Sequence, residues 1–239
     1  MRAPSWLCVM TLFAAFNMTV ASDPPDSEKN PVTGAIESVD SIWDGSTWQI
    51  RHTTDAGKGS PITTTLLTDD PEADNGPRLA INPAGNCGVA WWREDAPHQV
   101  LYMHRQVSET TWSEPQAIGL ATEVSREPEI VATEDRFWIA FEIEVSGGGK
   151  GIAVNGIMDS PEPIPERQVL TTTSYEGDVD VQVNGDQGVL WTTWIDSASD
   201  VGWSEYDDVS ATWSTPAYES YANDTPTEAR DRIRALLTE

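Results

Sequence analysis

Arg78, Glu129 and Asp180 fall at equivalent points of a repeat, 51 residues apart. A guanidinium and two carboxylates at one repeat position can hydrogen-bond a ligand's hydroxyls. Converging carboxyls can also act as acid and nucleophile in glycoside cleavage, or supply oxygen ligands to a cation such as Ca²⁺. Glu127 and Asp178 add carboxylates two positions before Glu129 and Asp180. In a chain this acidic, the plainer alternative is a solvated rim. Trp92 and Trp194 are the aromatic candidates for stacking on a sugar ring, because they break the spacing followed by the other aromatics. Trp91, Phe141 and Trp191 recur at 50 residues and are expected to pack between repeats. Ligand binding is thus expected to rest on Arg78, Trp92, Glu129, Asp180 and Trp194, with no catalytic residue and no cofactor assigned.

These groups are positioned by the repeat. Segments beginning at Gly76, Glu127 and Asp178 align so that Pro77, Pro128 and Val179 share a position, and Leu67, Ile118 and Val169 extend the register. Each unit carries four short apolar-alternating runs separated by turn residues, as in RLAIN, VAWW, VLYMH and SEPQAI. Tandem four-stranded units of this length predict an all-β propeller of about four blades over residues 34–220. A β-sandwich gives no reason for Trp, Pro and Gly to recur at this interval. Four blades is a small ring, so either it closes at four or self-association completes it, an unclosed arc leaving blade faces uncovered.

The repeats resemble the sialidase-like propellers that carry Asp-box turns, whose pattern is Ser-x-Asp-x-Gly-x-Thr-Trp. Asp208, Thr212 and Trp213 match it, with Ser210 for Gly and Tyr206 for Ser. Thr111 and Trp112 keep only its end, and Asp44-Gly45-Ser46-Thr47-Trp48 has the residue types with Asp displaced by one. The resemblance implies a structural turn between the third and fourth strands. The arginine triad of sialidases does not carry over, since the positions equivalent to Arg78 are Glu129 and Asp180. A non-catalytic module for a glycan or protein partner is therefore expected, with a glycoside hydrolase or a subunit of a surface assembly as alternatives.

The 239 residues contain 39 acidic and 14 basic side chains, a formal charge of −25, which argues against binding nucleic acid through its phosphates. Residues 1–22 have Arg2, an apolar stretch from Trp6 to Phe16 and small residues before Asp23, the pattern of an export signal. Cleavage near Ala21 or Ser22 would leave 13 basic residues against 39 acidic and a single cysteine, Cys87. A secreted or periplasmic chain without a membrane span follows. Residues 23–33 are expected to be a polar leader. Cys87 suits a small apolar position rather than a catalytic thiol. His52, His98 and His104 are scattered, and there is no HExxH, CxxC or GxSxG. Asn223-Asp224-Thr225 matches a glycosylation sequon, and residues 221–239 predict a helix capped by Thr225 and Glu228, with Ala229, Ile233, Leu236 and Leu237 as its apolar stripe.

Overall fold

A computed structural model describes residues 25–94, 98–120, 123–145, 149–158, 168–171, 176–183, 190–196, 200–207 and 210–220, with 225, 228, 231, 232 and 235. The export signal, Asn223 and Asp224 of the sequon, Asp208 and the apolar stripe of the C-terminal helix lie outside the described residues.

The described chain forms four antiparallel sheets, each a run of consecutive strands. The first contains β1 (Asp26–Lys29), β2 (Ile36–Trp43), β3 (Trp48–Asp55) and β4 (Thr63–Leu66). The second contains β5 (Asp74–Ile81), β6 (Cys87–Arg93), β7 (Gln99–Arg105) and β8 (Gln116–Ala117). The third contains β9 (Val124–Ala132), β10 (Arg136–Val145), β11 (Gly149–Met158) and β12 (Gln168–Thr171). The fourth contains β13 (Glu176–Val183), β14 (Leu190–Asp196), β15 (Asp200–Asp207), β16 (Thr212–Trp213) and β17 (Ala217–Ser220). This is a β-propeller. Asp26–Lys29 falls inside the stretch expected to be a leader, yet it forms β1 and pairs with β2. Asp26 lies 51 residues before Pro77, so the repeat extends one strand further back than expected.

Alternating side chains fill the spaces between sheets. Val39, Ile50 and Leu67 of the first blade interlock with Leu79, Ile81, Val89 and Trp91 of the second. Ala80, Tyr102 and Ile118 meet Phe137, Ile139 and Phe141 of the third. Trp138, Ile152 and Val154 meet Val179, Val181, Leu190 and Trp194 of the fourth. Among the described residues no such cluster joins the fourth blade to the first. On the first sheet, Ser38, Asp40, Arg51 and Thr53 alternate with the residues turned to the second blade, and Asp40 pairs with Arg51. The same face exposes Ile36 and Leu66 beside these polar groups. Sedimentation equilibrium reads whether this face is covered: the monomer mass means that it stays open to solvent, and a stable dimer or ring that another copy covers it.

The turns follow local chemistry. Asp44 Oδ1 accepts from the backbone N–H of Ser46 (2.7 Å) and Thr47 (2.9 Å), closing the β2–β3 hairpin. This Asp-box-like turn therefore joins second and third strands. In the fourth blade, Ser210 Oγ donates to Asp207 Oδ2 at 2.9 Å between β15 and β16. Thr225 and Glu228 form the expected capping box: the Glu228 N–H donates to Thr225 Oγ1 (3.3 Å) and the Thr225 N–H to Glu228 Oε2 (2.9 Å). Glu228, Asp231, Arg232 and Ala235 are helical.

Candidate functional site

The innermost strands β1, β5, β9 and β13 run side by side. Carboxylates of β1 satisfy backbone donors of β5: Asp26 Oδ2 accepts from the Leu79 N–H (2.8 Å) and Glu28 Oε2 from the Ile81 N–H (2.7 Å). Burial raises the Glu28 carboxyl above its ordinary range, opposed by the Ile81 hydrogen bond and assisted by the Asp26 charge.

A bulge interrupts the inner pair of three blades at one place, between Asn75 and Arg78, Arg126 and Glu129, and Gly177 and Asp180. Gly76 and Glu127 hold the same bulge position with φ of 57° and 51°. Glycine adopts that conformation freely, whereas at Glu127 it is strained. Immediately beyond the bulge come Arg78, Glu129 and Asp180.

The structure brings Arg78 and Glu129 into contact, with Asp180 near enough for its charge to act on Glu129. Arg78 Nε donates to Glu129 Oε1 at 2.8 Å, between side chains 38% and 31% exposed. Burial raises the Glu129 carboxyl, Arg78 opposes the rise, and the charges of Asp180 and Asp26 add to it. Asp180 Oδ2 accepts from Gln182 Nε2 at 2.8 Å. Asp26 thus belongs to this group, and the sign of it in the sequence was its place 51 residues before Pro77. Glu127 is exposed, and the Asp178 side chain lies outside the described residues.

The two tryptophans separate. Trp92 is half-buried against the core between the second and third blades. It lies over Gly76, where a Cβ would stand 3.0 Å from the indole Nε1, so the left-handed glycine also makes room for the ring. His98 is its aromatic neighbour, with centroids 6.2 Å apart. Trp194 is corrected: it is 0% exposed and cannot stack on a ligand. It packs over Gly202, directly opposite on β15, where a Cβ would come within 2.4 Å of the indole.

The strand ladders explain the error. Arg78, Glu129 and Asp180 pair with Ala90, Ala140 and Thr193, so the residues that follow, Trp91, Phe141 and Trp194, share one position. Trp191 instead corresponds to Gly88 and Trp138. It is buried as expected, at 1% exposure, but not in the place of Trp91 and Phe141.

The acidic loop of Asp70, Glu72 and Asp74 closes on Arg93, with ion pairs of 2.5, 2.5 and 3.0 Å. Asp74, fully buried, also accepts from Trp91 Nε1 at 3.0 Å. These carboxylates brace the end of β6. Among the described residues no group of three or more His, Cys, Asp or Glu side chains is arranged to hold a metal ion. Cys87 is buried, and burial pushes its thiol up to about 11, which leaves it protonated and unreactive at neutral pH. No described helix is long and apolar enough to cross a membrane.

No protein-family model and no curated protein matches the chain. Solved structures do. A sialidase from Trypanosoma rangeli, in complex with the inhibitor DANA, superposes with a TM-score of 0.55 at 10% identity. That match covers 80% of this chain and 37% of the sialidase, so the chain spans little more than a third of its length. An endo-arabinase from Bacteroides thetaiotaomicron gives a TM-score of 0.46 at 14% identity, covering 89% of this chain and 80% of the other. A leech intramolecular trans-sialidase gives 0.47 at 9% identity, covering 82% and 30%. At 10% identity the likeness to the Trypanosoma rangeli sialidase concerns the fold, which is that of a sialidase-like propeller.

Proposed function

We propose that the chain is an exported, non-catalytic propeller module that binds a glycan at its inner strands. The observation that carries this reading is the Arg78–Glu129 ion pair beside Asp180. Donors and acceptors held at fixed spacing suit vicinal hydroxyls, and Trp92 offers a partly exposed ring nearby in the same strand pair. Both carboxylates already accept hydrogen bonds, Glu129 from Arg78 and Asp180 from Gln182, which favours binding over turnover. The sialidase-like fold supports a carbohydrate ligand by analogy alone. One observation favours the hydrolase alternative: Glu129, with its carboxyl raised by burial, has the property of a general acid.

A glycan array and a glycosidase panel, read on wild type, Glu129→Gln and Asp180→Asn, separate these readings. The module reading expects a bound glycan, no turnover, and affinity lowered about tenfold in either variant, the usual scale for losing a charged hydrogen bond. Turnover abolished by Glu129→Gln while binding persists would establish the hydrolase instead. A wild type that binds no glycan would refute both.

A further inference from the structure

Two residues beyond Glu129, at Val131, the inner strand reaches a cleft of about 840 Å³ lined mainly by the third and fourth blades, with Pro83 of the second at its edge. Its floor is apolar, made by Val131, Trp138, Val183 and Leu190. Its rim is the β9–β10 turn, where Glu134, Asp135 and Arg136 stand in succession. The Thr133 N–H donates to the Arg136 carbonyl at 2.9 Å and fixes that turn.

Arg136 is the notable group. Its guanidinium carbon lies 5.6 Å from the centroid of Trp138, whose ring is backed by Tyr206 at 4.4 Å and Trp213 at 6.0 Å. Stacking of this kind holds a guanidinium in place without using its N–H groups. Its polar contacts among the described residues are Tyr206 Oη at 3.4 Å and exposed Asp135 at 3.7 Å. Five donors are available, and those two contacts occupy at most two of them. Arg136 and Trp138 also line a smaller cavity of about 160 Å³ that reaches Gln168, Tyr206 and Trp213.

The rim therefore sets carboxylate acceptors directly beside guanidinium donors over an apolar floor. A ligand of single charge would meet its own sign on one side of this cleft. A neutral polyol satisfies both, donating to Glu134 and Asp135, accepting from Arg136, and laying its C–H face on the partly exposed Val131 and Val183. The volume lies within the ordinary range of ligand sites. We infer that the interblade cleft is a second binding site, for a short neutral saccharide, independent of the Arg78–Glu129–Asp180 group.

The test is an NMR titration following the indole N–H of Trp138, identified by its loss in Trp138→Phe. Cellotriose, maltotriose and mannotriose serve as neutral probes, with hexanoate and hexylamine as singly charged apolar ones. At least one trisaccharide should shift the Trp138 signal with saturation at millimolar concentration. Arg136→Gln, checked for unchanged thermal unfolding, should weaken that binding about tenfold or more, and Glu129→Gln should leave it within about twofold, since additivity holds for separate sites. Absence of any trisaccharide shift overturns the proposal. So does a shift by hexanoate or hexylamine alone, or an Arg136→Gln variant that binds as well as wild type. Loss of binding in Glu129→Gln but not Arg136→Gln would place the saccharide at the inner strands only.

Discussion

Glu37→Ala should destabilise the protein by about 3–5 kcal/mol in chemical denaturation, the range for removing one partner from a buried charge network. Glu37 on β2 is 2% exposed and holds the first blade to the second. Arg105 on β7 donates to Glu37 Oε1 at 3.0 Å, Thr54 Oγ1 donates to Oε2 at 2.6 Å, and His52 Nε2 lies 2.8 Å from the same oxygen. Trp112 seals the group, 5.3 Å below the Arg105 guanidinium and 5.0 Å from the His52 ring. Without the carboxylate, Arg105 keeps its charge beside buried Cys87 and loses its ion pair with Glu37.

The same group sets an acid dependence whose sign is fixed. Burial pushes the Glu37 carboxyl up, but the adjacent His52 imidazole, the Thr54 hydrogen bond and the Arg105 charge outweigh it and hold the pKa at about 2, below the ordinary 4.5. A folded-state value below the unfolded one stabilises the protein at neutral pH, and that stabilisation drains away as pH falls from about 4.5 toward 2. It amounts to about 3 kcal/mol, from roughly two and a half pK units. Glu37→Gln keeps the shape and cannot titrate. The difference in stability between wild type and Glu37→Gln should therefore shrink across that window; a difference independent of pH would show that the carboxylate is not the titrating group.

The repeat was legible because every blade needs the same inner-strand geometry. Pro77, Pro128 and Val179 mark the bulge that precedes Arg78, Glu129 and Asp180, and each unit as a whole keeps the period of 51. Inside the blades the length does vary. Between the paired residues Ile81 and Cys87, Ala132 and Phe137, and Val183 and Leu190, the hairpins hold five, four and six residues. A spacing counted on residue types slides over such differences, which is how Trp191 took the place that belongs to Trp194. Asp26 was hidden for another reason: Asp26-Ser27-Glu28-Lys29 has no apolar alternation, since its carboxylates bond backbone N–H groups of β5 instead of packing in a core. The network around Glu37 carried no signal either. Its members come from β2, β3, β6 and β7 and from the Trp112 loop, far apart in the chain, and only the stacking of blades unites them. Arg136 and its cleft were invisible for the same cause.

Trp194→Ala should cost about 3–5 kcal/mol, as large-to-small changes at buried aromatic positions do, whereas Trp92→Ala should cost distinctly less, because Trp92 is already half in solvent. The reasoning turns on what each ring leaves behind. Trp194 is 0% exposed in the core shared with Trp138, Val154 and Val181, and Gly202 beneath it has no side chain to fill the gap. The Tyr218 ring, 6.0 Å away at 80°, would lose its edge contact and with it part of the β15–β17 pairing it sits on. Gly202→Ala attacks the same contact from the opposite strand, since the added methyl would stand 2.4 Å from the indole. It should also destabilise, by about 1–3 kcal/mol of overpacking strain. The double variant Trp194→Phe with Gly202→Ala trades ring volume for the methyl and should recover part of either loss, a coupling that separates direct packing from a general weakness of the fourth blade. If Trp194→Ala costs no more than Trp92→Ala, the shared position of Trp91, Phe141 and Trp194 is wrong, and the register of the fourth blade must be redrawn with Trp191 in the core.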